Sequence, residues 1–497
     1  MSLELPGMKK ARHTSVCLAL SLLTAVVVFT VSGNPAAHMD TLSDEKVDGQ
    51  IANSLRQDPF FGNRELAAPA RFRLPMYLDA LVGASLEDAK GVPSRNFSRS
   101  VAVITIVATA GLACSLFGFG TGWLSAIILA ISPYFLAYSG LAGTEGDVFA
   151  ACFVTLALWA YVSYLQSPTP AKWLLAGCML ACAIGTTIFA VYLLVVFWLL
   201  SATMYSEPTF KLSRMPNHTA RLHRLLRWQL GVISVTFALA VLHRFPPGRM
   251  QLDRVLPIVR MAAICGWVAL AALWTATVSY VVVVGVLSRS REERFWGMAA
   301  FAFCTVFVLM PVHLLDPSIA KELLIKVGTW DGGFPFGSIM SHVRLYSGIF
   351  LLKMTIPLGI VAIISIVYGV FNERNDGRWR SIIWAILLFL LLLCSLPNRR
   401  SQNLMAIYPL IAIVTAAGLA GITRRVRELR SGPITTLWLL VAAGSVGYLG
   451  FESWRAHPNY QQYGADILAS RFDWKWLAPN PAAIEISFRR RPMASSR

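Results

Sequence analysis

The sequence predicts an all-α, polytopic membrane protein. Of its 497 residues, 56% are apolar and only 14% are charged, whereas about 25% of the residues of an ordinary soluble domain are charged. So few polar side chains cannot cover a water-soluble core of this size, which excludes a soluble enzyme and a disordered chain. The eight cysteines lie in apolar runs, which excludes a disulfide-built secreted domain.

Apolar runs long enough to cross a bilayer recur along the chain. A helix needs about 20 apolar residues to cross roughly 30 Å of hydrocarbon. The run 173–204 is too long for one crossing, so we divide it at Gly185-Thr186-Thr187. About 13 transmembrane helices result, at 14–33, 99–117, 121–139, 147–166, two within 173–204, 228–243, 257–287, 295–315, 349–371, 380–397, 404–423 and 434–451.

The first span follows Lys9, Lys10 and Arg12, a pattern shared by signal peptides and signal anchors. We interpret it as an uncleaved anchor, because its apolar stretch is long and no clear small-residue cleavage site follows. Lys and Arg are about twice as dense in the segments on the N-terminal side of the membrane, as the positive-inside rule requires. We therefore expect a multi-pass protein of the cytoplasmic (inner or plasma) membrane with a cytoplasmic N-terminus.

The loops on the two sides differ in length. The cytoplasmic loops are short and basic and contain no nucleotide-binding motif. Three long segments, 34–98, 316–348 and 452–497, lie on the outer face in this topology. We therefore expect residues 1–451 to form a membrane catalytic domain and 452–497 an extracytoplasmic tail, with the chemistry on the outer face. The net charge of +18 needs no nucleic acid, since basic loops commonly face anionic lipid.

Two amphipathic helices are predicted in the first outer loop. Ser43 suits the N-cap of the first helix, and Asp44 and Glu45 follow where the helix dipole favours carboxylates. An apolar stripe at i, i+4 and i+8 is formed by Val47, Ile51 and Leu55. We expect this helix to lie on the membrane surface, with its acidic N-terminus facing the protein.

The second amphipathic helix begins near the segment 71–77. Pro75 suits a first helical turn. An apolar face is predicted to consist of Leu74, Leu78, Leu81 and Val82.

A second acidic spot follows the third span. Glu145 and Asp147 stand between two apolar spans. Carboxylates at that depth are costly unless they face a cavity or a partner. Both residues are therefore candidates for a functional site.

Four segments resemble those of lipid-linked sugar transferases. In chain order they are Asp44-Glu45 after the first span, 131–145 (ISPYFLAYSGLAGTE), the basic and then aromatic-Pro stretch 397–410, and His457-Pro458-Asn459-Tyr460 after the last span. All four stand in order at matching topological places. The chain is therefore similar to the dolichyl-phosphate-mannose protein mannosyltransferase family and its bacterial relatives, including the lipid A aminoarabinose transferase.

This resemblance implies the C-type membrane glycosyltransferase fold. It also implies transfer of a sugar from a polyprenyl-phosphate carrier to a lipid, glycan or protein acceptor outside the membrane. The candidate catalytic residues are Asp44, as the base that takes the acceptor's proton, Glu45, which would orient the acceptor, and Glu145.

Three positions depart from the family. Gly140 stands where relatives often carry Arg, Gly185-Thr186-Thr187 where they often carry Lys, and Glu145 where they carry Asp. Contacts to the donor phosphate are therefore not carried over at these positions.

Charge on the departing lipid phosphate has to be neutralised by cations. The candidate phosphate-binding residues are Arg71, Arg73, Lys353, Arg399 and Arg400. Lys353 is placed a few residues into an apolar span, where an ammonium needs a partner or must reach back to the interface. On the acceptor side the candidates are His342 and Asp147.

The sequence leaves alternatives open for the metal requirement and for the function. Asp44 and Glu145 would also suit a hard divalent cation, whose requirement the sequence does not decide. The main alternative function is a transporter or flippase for lipids or small solutes, and a membrane scaffold is a further one. The chain shows no internal repeat of the kind that many transporters carry.

Overall fold

The structure is a computed structural model. It describes residues 6–32, 43–57, 60, 74–82, 92–139, 147–204, 216–244, 252–284, 290–317, 343, 346, 354–371, 376–394, 401–428 and 432–456. At several helix ends only the helix is described and not the side chains. Asp44 and Glu45 are among those residues.

Every regular element in these ranges is helical. The α-helices are α1 (Pro6–Val31), α2 (Ser43–Gln57), α3 (Leu74–Val82), α4 (Val92–Phe117), α5 (Phe119–Ala130), α6 (Pro133–Ser139), α7 (Asp147–Gln166), α8 (Pro170–Thr186), α9 (Tyr192–Met204), α10 (Pro216–Arg244), α11 (Leu252–Val284), α12 (Arg291–Leu309), α13 (Pro311–Leu315), α14 (Ile356–Phe371), α15 (Gly377–Cys394), α16 (Tyr408–Glu428) and α17 (Gly432–Ala456). Short 3-10 helices at Ile188–Val191 and Ser401–Ile407 precede α9 and α16.

The helical, multi-pass class that the sequence predicts is confirmed. Among the described helices, eight are long and apolar enough to cross a membrane, and nine if the bent pair of α5 and α6 counts as one span. Shorter apolar helices are α8, α9 and α14. The count of 13 spans is not confirmed.

The helix break predicted within 173–204 is present. Helix α8 ends at Thr186, and Thr187 is extended, with φ −152° and ψ 131°. The 3-10 helix Ile188–Val191 and α9 follow. Thr187 therefore divides the run near the place that its length required.

Prolines break two predicted spans that the sequence analysis left continuous. The predicted span 121–139 consists of α5 and α6, which are bent by 65°, with Pro133 at the start of α6. The predicted span 295–315 consists of α12 and α13, with Pro311 at the first position of α13. Proline lacks an N–H and disfavours helical backbone in the residue before it, so each helix ends just ahead of the proline.

The chain divides into two compact units. The first comprises Met1–Met39, Ser98–Leu141 and Gly332–Arg497. The second comprises Asp40–Phe97 and Ala142–Asp331.

The core of the first unit is organised around α16. Helices α5, α14, α15 and α17 all contact α16, and 83% of its most apolar window is buried. Small residues allow the closest approaches: a Cβ on Gly122 would lie 2.8 Å from Cys17 Sγ and 2.9 Å from Cys114 Cβ. Small residues at such contacts are typical of helix packing in membranes, where close van der Waals contact replaces the hydrophobic effect.

Gly418 offers a test of this packing. A Cβ at Gly418 would lie 2.8 Å from the Cα of Ser365, which belongs to α14. Gly418→Val should therefore force α14 and α16 apart and cost about 1–3 kcal/mol, seen as a lower midpoint of thermal unfolding of the purified protein. Gly447→Val on α17 is the matched control, because nothing lies within 4 Å of a Cβ there. Equal midpoints for the two variants would contradict the packing of α14 on α16.

Polar contacts join the helices of the second unit. Gln229 Nε2 on α10 donates to Thr277 Oγ1 on α11 at 2.6 Å and to the Leu273 carbonyl oxygen at 3.1 Å. Trp173 Nε1 on α8 donates to the backbone oxygen of Arg294 on α12 at 3.0 Å. Each bond joins polar groups that would be costly to leave unpaired in hydrocarbon, so these contacts fix which helices are neighbours.

Candidate functional site

Most of the sequence-predicted site residues lie outside the part of the chain that the structure describes. These are Arg71, Arg73, Glu145, His342, Lys353, Arg399 and Arg400. Asp44 and Glu45 belong to the first turn of α2, with their side chains outside the described set. Asp147 has a described side chain. Asp147 and α2 belong to the second unit, whereas His342, Lys353, Arg399 and Arg400 fall in the sequence ranges of the first.

Helix α2 begins at Ser43, where the sequence predicts the N-cap. Its apolar stripe is buried at the two described positions: Ile51 and Leu55 are each 2% exposed. The stripe faces protein, because α2 packs on α3. The carboxylates of Asp44 and Glu45 thus belong to the N-terminal turn of a docked helix, where the positive end of the helix dipole stabilises negative charge.

Helix α3 is present, and its predicted apolar face is buried in protein only at its N-terminal end. Leu81 is 81% exposed, whereas Leu74, Met76 and Tyr77 are 4%, 0% and 8% exposed. The buried part is the N-terminal end of the helix and not a stripe along its length. The reason is that this end inserts between other helix ends, which a surface-helix pattern does not reveal.

Tyr77 joins α3 to α13. Its hydroxyl oxygen accepts a hydrogen bond from the backbone N–H of Val312 at 3.2 Å. Val312 is in the first turn of α13, where N–H groups have no partner within the helix. The break at Pro311 thus exposes a donor, and Tyr77, from the predicted first outer loop, satisfies it.

Gly185 allows α3 to approach the end of α8. A Cβ on Gly185 would lie 3.3 Å from Leu74 Cβ and 3.0 Å from Met310 Cε. The ends of α3, α8 and α12 therefore meet at this glycine. Gly185, one of the positions that depart from the family pattern, thus has a packing role.

Phe60 makes a further contact between the first outer loop and the helix ends. Its ring packs edge-on against Trp267 with centroids 5.1 Å apart, and it joins a cluster with Ala263 and Leu315. Leu315 is the last residue of α13, directly before the second predicted outer loop. Phe60 and Tyr77 thus both contact the last helix before the predicted second outer loop.

His313 and Asp316 stand at this entrance. Both ring nitrogens of His313 are shielded from solvent, and the Asp316 N–H donates to the Val312 carbonyl oxygen at 2.8 Å. An imidazole and a carboxylate here lie close in sequence to the buried Tyr77–Val312 contact. Both residues are additional candidates for the acceptor side.

Asp147 is the first residue of α7. It is half-buried, and its Oδ2 is shielded from solvent. A carboxylate at this position is favoured by the N-terminal dipole of α7. Phe149, two residues later, packs on Phe97 of α4 with ring centroids 5.5 Å apart, so the starts of α4 and α7 are neighbours.

Arg95 is a candidate that the sequence analysis missed. It lies in the first turn of α4, two residues before Phe97, and is 1% exposed. A guanidinium is rarely buried without a role, because its desolvation is costly. The available signal was an arginine just before an apolar span, but its burial is decided by the tertiary structure.

A metal site is not visible in the described ranges: they contain no group of three or more His, Cys, Asp or Glu residues arranged to hold a metal ion. Glu145 and the side chain of Asp44, which would form the alternative divalent-cation site, lie outside these ranges.

Comparison with solved structures finds chains of low sequence identity. The Archaeoglobus fulgidus oligosaccharyltransferase in complex with Zn and sulfate is 15% identical with a TM-score of 0.47, covering 90% of this chain and 53% of its own. The archaeal oligosaccharyltransferase AglB from the same organism, in complex with an inhibitory peptide and a dolichol-phosphate, is 15% identical with a TM-score of 0.47, covering 92% of this chain and 57% of its own. ArnT from Cupriavidus metallidurans bound to undecaprenyl phosphate is 13% identical with a TM-score of 0.47, covering 94% of this chain and 74% of its own.

The chain thus spans about half the length of the archaeal enzymes. No curated protein sequence matches it significantly.

One protein-family model matches the chain, over residues 76–216. This segment runs from α3 to the first residue of α10 and includes Arg95, Glu145 and Asp147. The family is described as dolichyl-phosphate-mannose-protein mannosyltransferase. The resemblance that the sequence motifs predict is therefore confirmed, and over residues 76–216 the chain is similar to the dolichyl-phosphate-mannose-protein mannosyltransferases.

Proposed function

We propose that this protein is a glycosyltransferase that moves a sugar from a polyprenyl-phosphate carrier to an acceptor on the outer face of the cytoplasmic membrane. The observation that carries the proposal is the family match over residues 76–216. It is supported by the docking of α2, Phe60 and α3 on other helices of the second unit. The family match does not favour the alternative, a transporter or flippase.

The reaction is a displacement at C1 of the sugar. The acceptor oxygen forms a bond to C1 while the bond between C1 and the phosphate oxygen breaks, and the polyprenyl phosphate leaves with the electron pair. Asp44 is the proposed base that takes the acceptor's proton. Glu45 is proposed to orient the acceptor, with Glu145 as the carboxylate of the second acidic spot.

The leaving phosphate gains negative charge and needs cations. Arg71, Arg73, Lys353, Arg399 and Arg400 remain the proposed residues for this task. Arg95 joins them, because its guanidinium is buried near the start of α4, and a charge in low dielectric acts strongly on a nearby phosphate.

Acceptor contacts are proposed for His342 and Asp147, with His313 and Asp316 as additions. Lipid, glycan and protein acceptors all present hydroxyl or amide groups that a carboxylate base can serve. A divalent cation between Asp44 and Glu145 is the alternative arrangement of the same carboxylates. We also propose residues 1–451 as the membrane catalytic domain and 452–497 as an outer tail.

Transfer is tested with the purified protein in nanodiscs and a synthetic polyprenyl-phosphate donor carrying a radiolabelled sugar. Label should move to an acceptor fraction from the source cells, and free polyprenyl phosphate should accumulate in equal amount. Release of the lipid phosphate without an acceptor-linked sugar, or movement of intact donor between leaflets of a liposome, would contradict the proposal.

The proposed orientation puts α2 outside and the turn between α7 and α8 inside. Gln50 and Ser167 are both exposed, so a cysteine at either position would be accessible. In a cysteine-free background, Gln50→Cys should react with a membrane-impermeant maleimide in intact cells. Ser167→Cys should react only after permeabilisation. The opposite pattern would reverse the orientation and remove the proposed site from the outer face.

A further inference from the structure

A cavity in the first unit lies at the C-terminal end of α16. Its volume is about 920 Å³, within the range of roughly 300–1,000 Å³ that small-molecule sites occupy. The lining side chains come from α5, α16 and α17, and they are Leu124, Leu419, Ala420, Thr423, Arg424, Arg427, Glu428, Leu439, Ala442, Ala443 and Val446.

The apolar wall of the cavity follows from helix periodicity. Leu439, Ala442, Ala443 and Val446 recur at i, i+3, i+4 and i+7 and therefore share one face of α17. Helix α17 is a candidate span of which only 11% of the most apolar window is buried. The cavity is thus walled by a helix that mainly faces lipid, so hydrocarbon chains are the natural occupants of its apolar part.

The basic end of the cavity is formed by Arg424 and Arg427. Both are exposed, and within the described residues neither forms an ion pair. The carboxylate of Glu428 also lines the cavity, but its charge is matched by Arg425, whose Nη1 lies 3.2 Å from Glu428 Oε2. Two positive charges therefore remain at one end of an otherwise apolar cavity.

Trp438 indicates that this end lies at the level of lipid headgroups. Its indole N–H donates to Thr423 Oγ1 at 3.0 Å, and Thr423 lines the cavity between the apolar wall and the arginines. Trp side chains favour the interface between hydrocarbon and water, since one edge is polar and the rest apolar. The cavity therefore presents an apolar wall, then an interfacial Trp and then two arginines. This order matches the acyl chain, glycerol and phosphate of a phospholipid.

We propose that this cavity binds an anionic membrane phospholipid. The phosphate lies between Arg424 and Arg427, and an acyl chain lies against the apolar face of α17. The site is distinct from the proposed donor site, because Arg399 and Arg400 precede the start of α16 while Arg424 and Arg427 are in its last turns. The 21 residues of α16 separate its two ends by about 30 Å.

The proposal is tested by native mass spectrometry, titrating purified protein with phosphatidylglycerol and, separately, with phosphatidylcholine. Phosphatidylglycerol should bind more tightly. Arg424→Gln combined with Arg427→Gln should weaken its binding by about 30-fold, from the loss of two headgroup cations. Arg224→Gln combined with Arg227→Gln is the matched control, because these two exposed arginines have the same spacing on α10 but do not line the cavity, and it should retain wild-type binding.

A second variant leaves both arginines in place. Ala442→Trp places an indole against the apolar wall, where the acyl chain would lie, and should weaken phosphatidylglycerol binding. If the double Arg variant does not fold, judged by size-exclusion chromatography, this variant decides the question. Equal binding of the two phospholipids, or unchanged phosphatidylglycerol binding in the variants that fold, would overturn the proposal. Undecaprenyl phosphate is titrated in the same way. If the variants lost its binding but kept that of phosphatidylglycerol, the carrier lipid would be the occupant and the proposal would be overturned. None of these readouts depends on sugar transfer.

Discussion

Asp44→Asn is expected to lower the rate of sugar transfer by about 10²–10⁴-fold, equivalent to ~3–5 kcal/mol of barrier. The amide keeps the size of the side chain and still suits the first turn of α2, which begins at Ser43. It cannot take the acceptor's proton as the bond to C1 forms. The loss should therefore appear in the rate and not in the amount of folded protein, measured as radiolabelled sugar transferred from a polyprenyl-phosphate donor by purified variants in nanodiscs.

Two variants on the same helix serve as controls for Asp44→Asn. Glu45→Gln should cost less than Asp44→Asn, because an orienting group can still donate or accept a hydrogen bond as an amide. Arg56→Gln, at an exposed position in the last turn of α2, should transfer at the wild-type rate. Asp44→Asn with activity within about threefold of wild type, a loss of under ~1 kcal/mol, would show that Asp44 is not the base. Glu145→Gln would then test the second acidic spot.

Arg399→Ala and Arg400→Ala are each expected to raise the donor concentration required for half-maximal transfer by about 10–150-fold, the value of a lost charge-assisted hydrogen bond. A guanidinium binds two phosphate oxygens at once, which a Lys ammonium cannot do. Arg399→Lys and Arg400→Lys should therefore restore only part of the loss. The measurement is KM for the polyprenyl-phosphate donor, with kcat recorded separately.

Lys353→Met tests whether Lys353 also binds the donor phosphate. It should raise KM in the same way if the ammonium serves the phosphate. Arg425→Ala is the control, since Arg425 is exposed and pairs with Glu428 at the surface, where ion pairs contribute little. Unchanged KM in the Arg399, Arg400 and Lys353 variants would remove these three residues from the phosphate site.

The helix breaks show where sequence reasoning succeeded and where it failed. The break after Thr186 was predicted because the largely apolar run from 173 to 204, 32 residues long, is too long for one crossing. The breaks at Pro133 and Pro311 were not predicted, because the apolar pattern continues through them and hydropathy averages over single residues. The backbone rules for proline carried the missing information.

The start of α2 was also predictable from local sequence. Ser43, followed by acidic residues and an i, i+4, i+8 stripe, determines where the helix begins and which face is apolar. Ile51 and Leu55 are buried as that pattern requires. The same reasoning did not reveal that only the N-terminal end of α3 is buried in protein, while Leu81 is exposed. The stripe of α2 meets one neighbouring helix, whereas the burial of α3 depends on several separate helix ends.

The sequence by itself determined that the chain is helical and membrane-spanning, because span length and composition are local properties that the thickness of hydrocarbon imposes on each segment. Its motifs also predicted the family resemblance. Only the tertiary structure decided that Tyr77 satisfies the Val312 N–H and that Arg95 is buried. It also revealed the cavity that Arg424 and Arg427 line. Each of these features depends on helices that are far apart in sequence. The free energy of such a contact depends on both partners, so the sequence of one segment does not determine it.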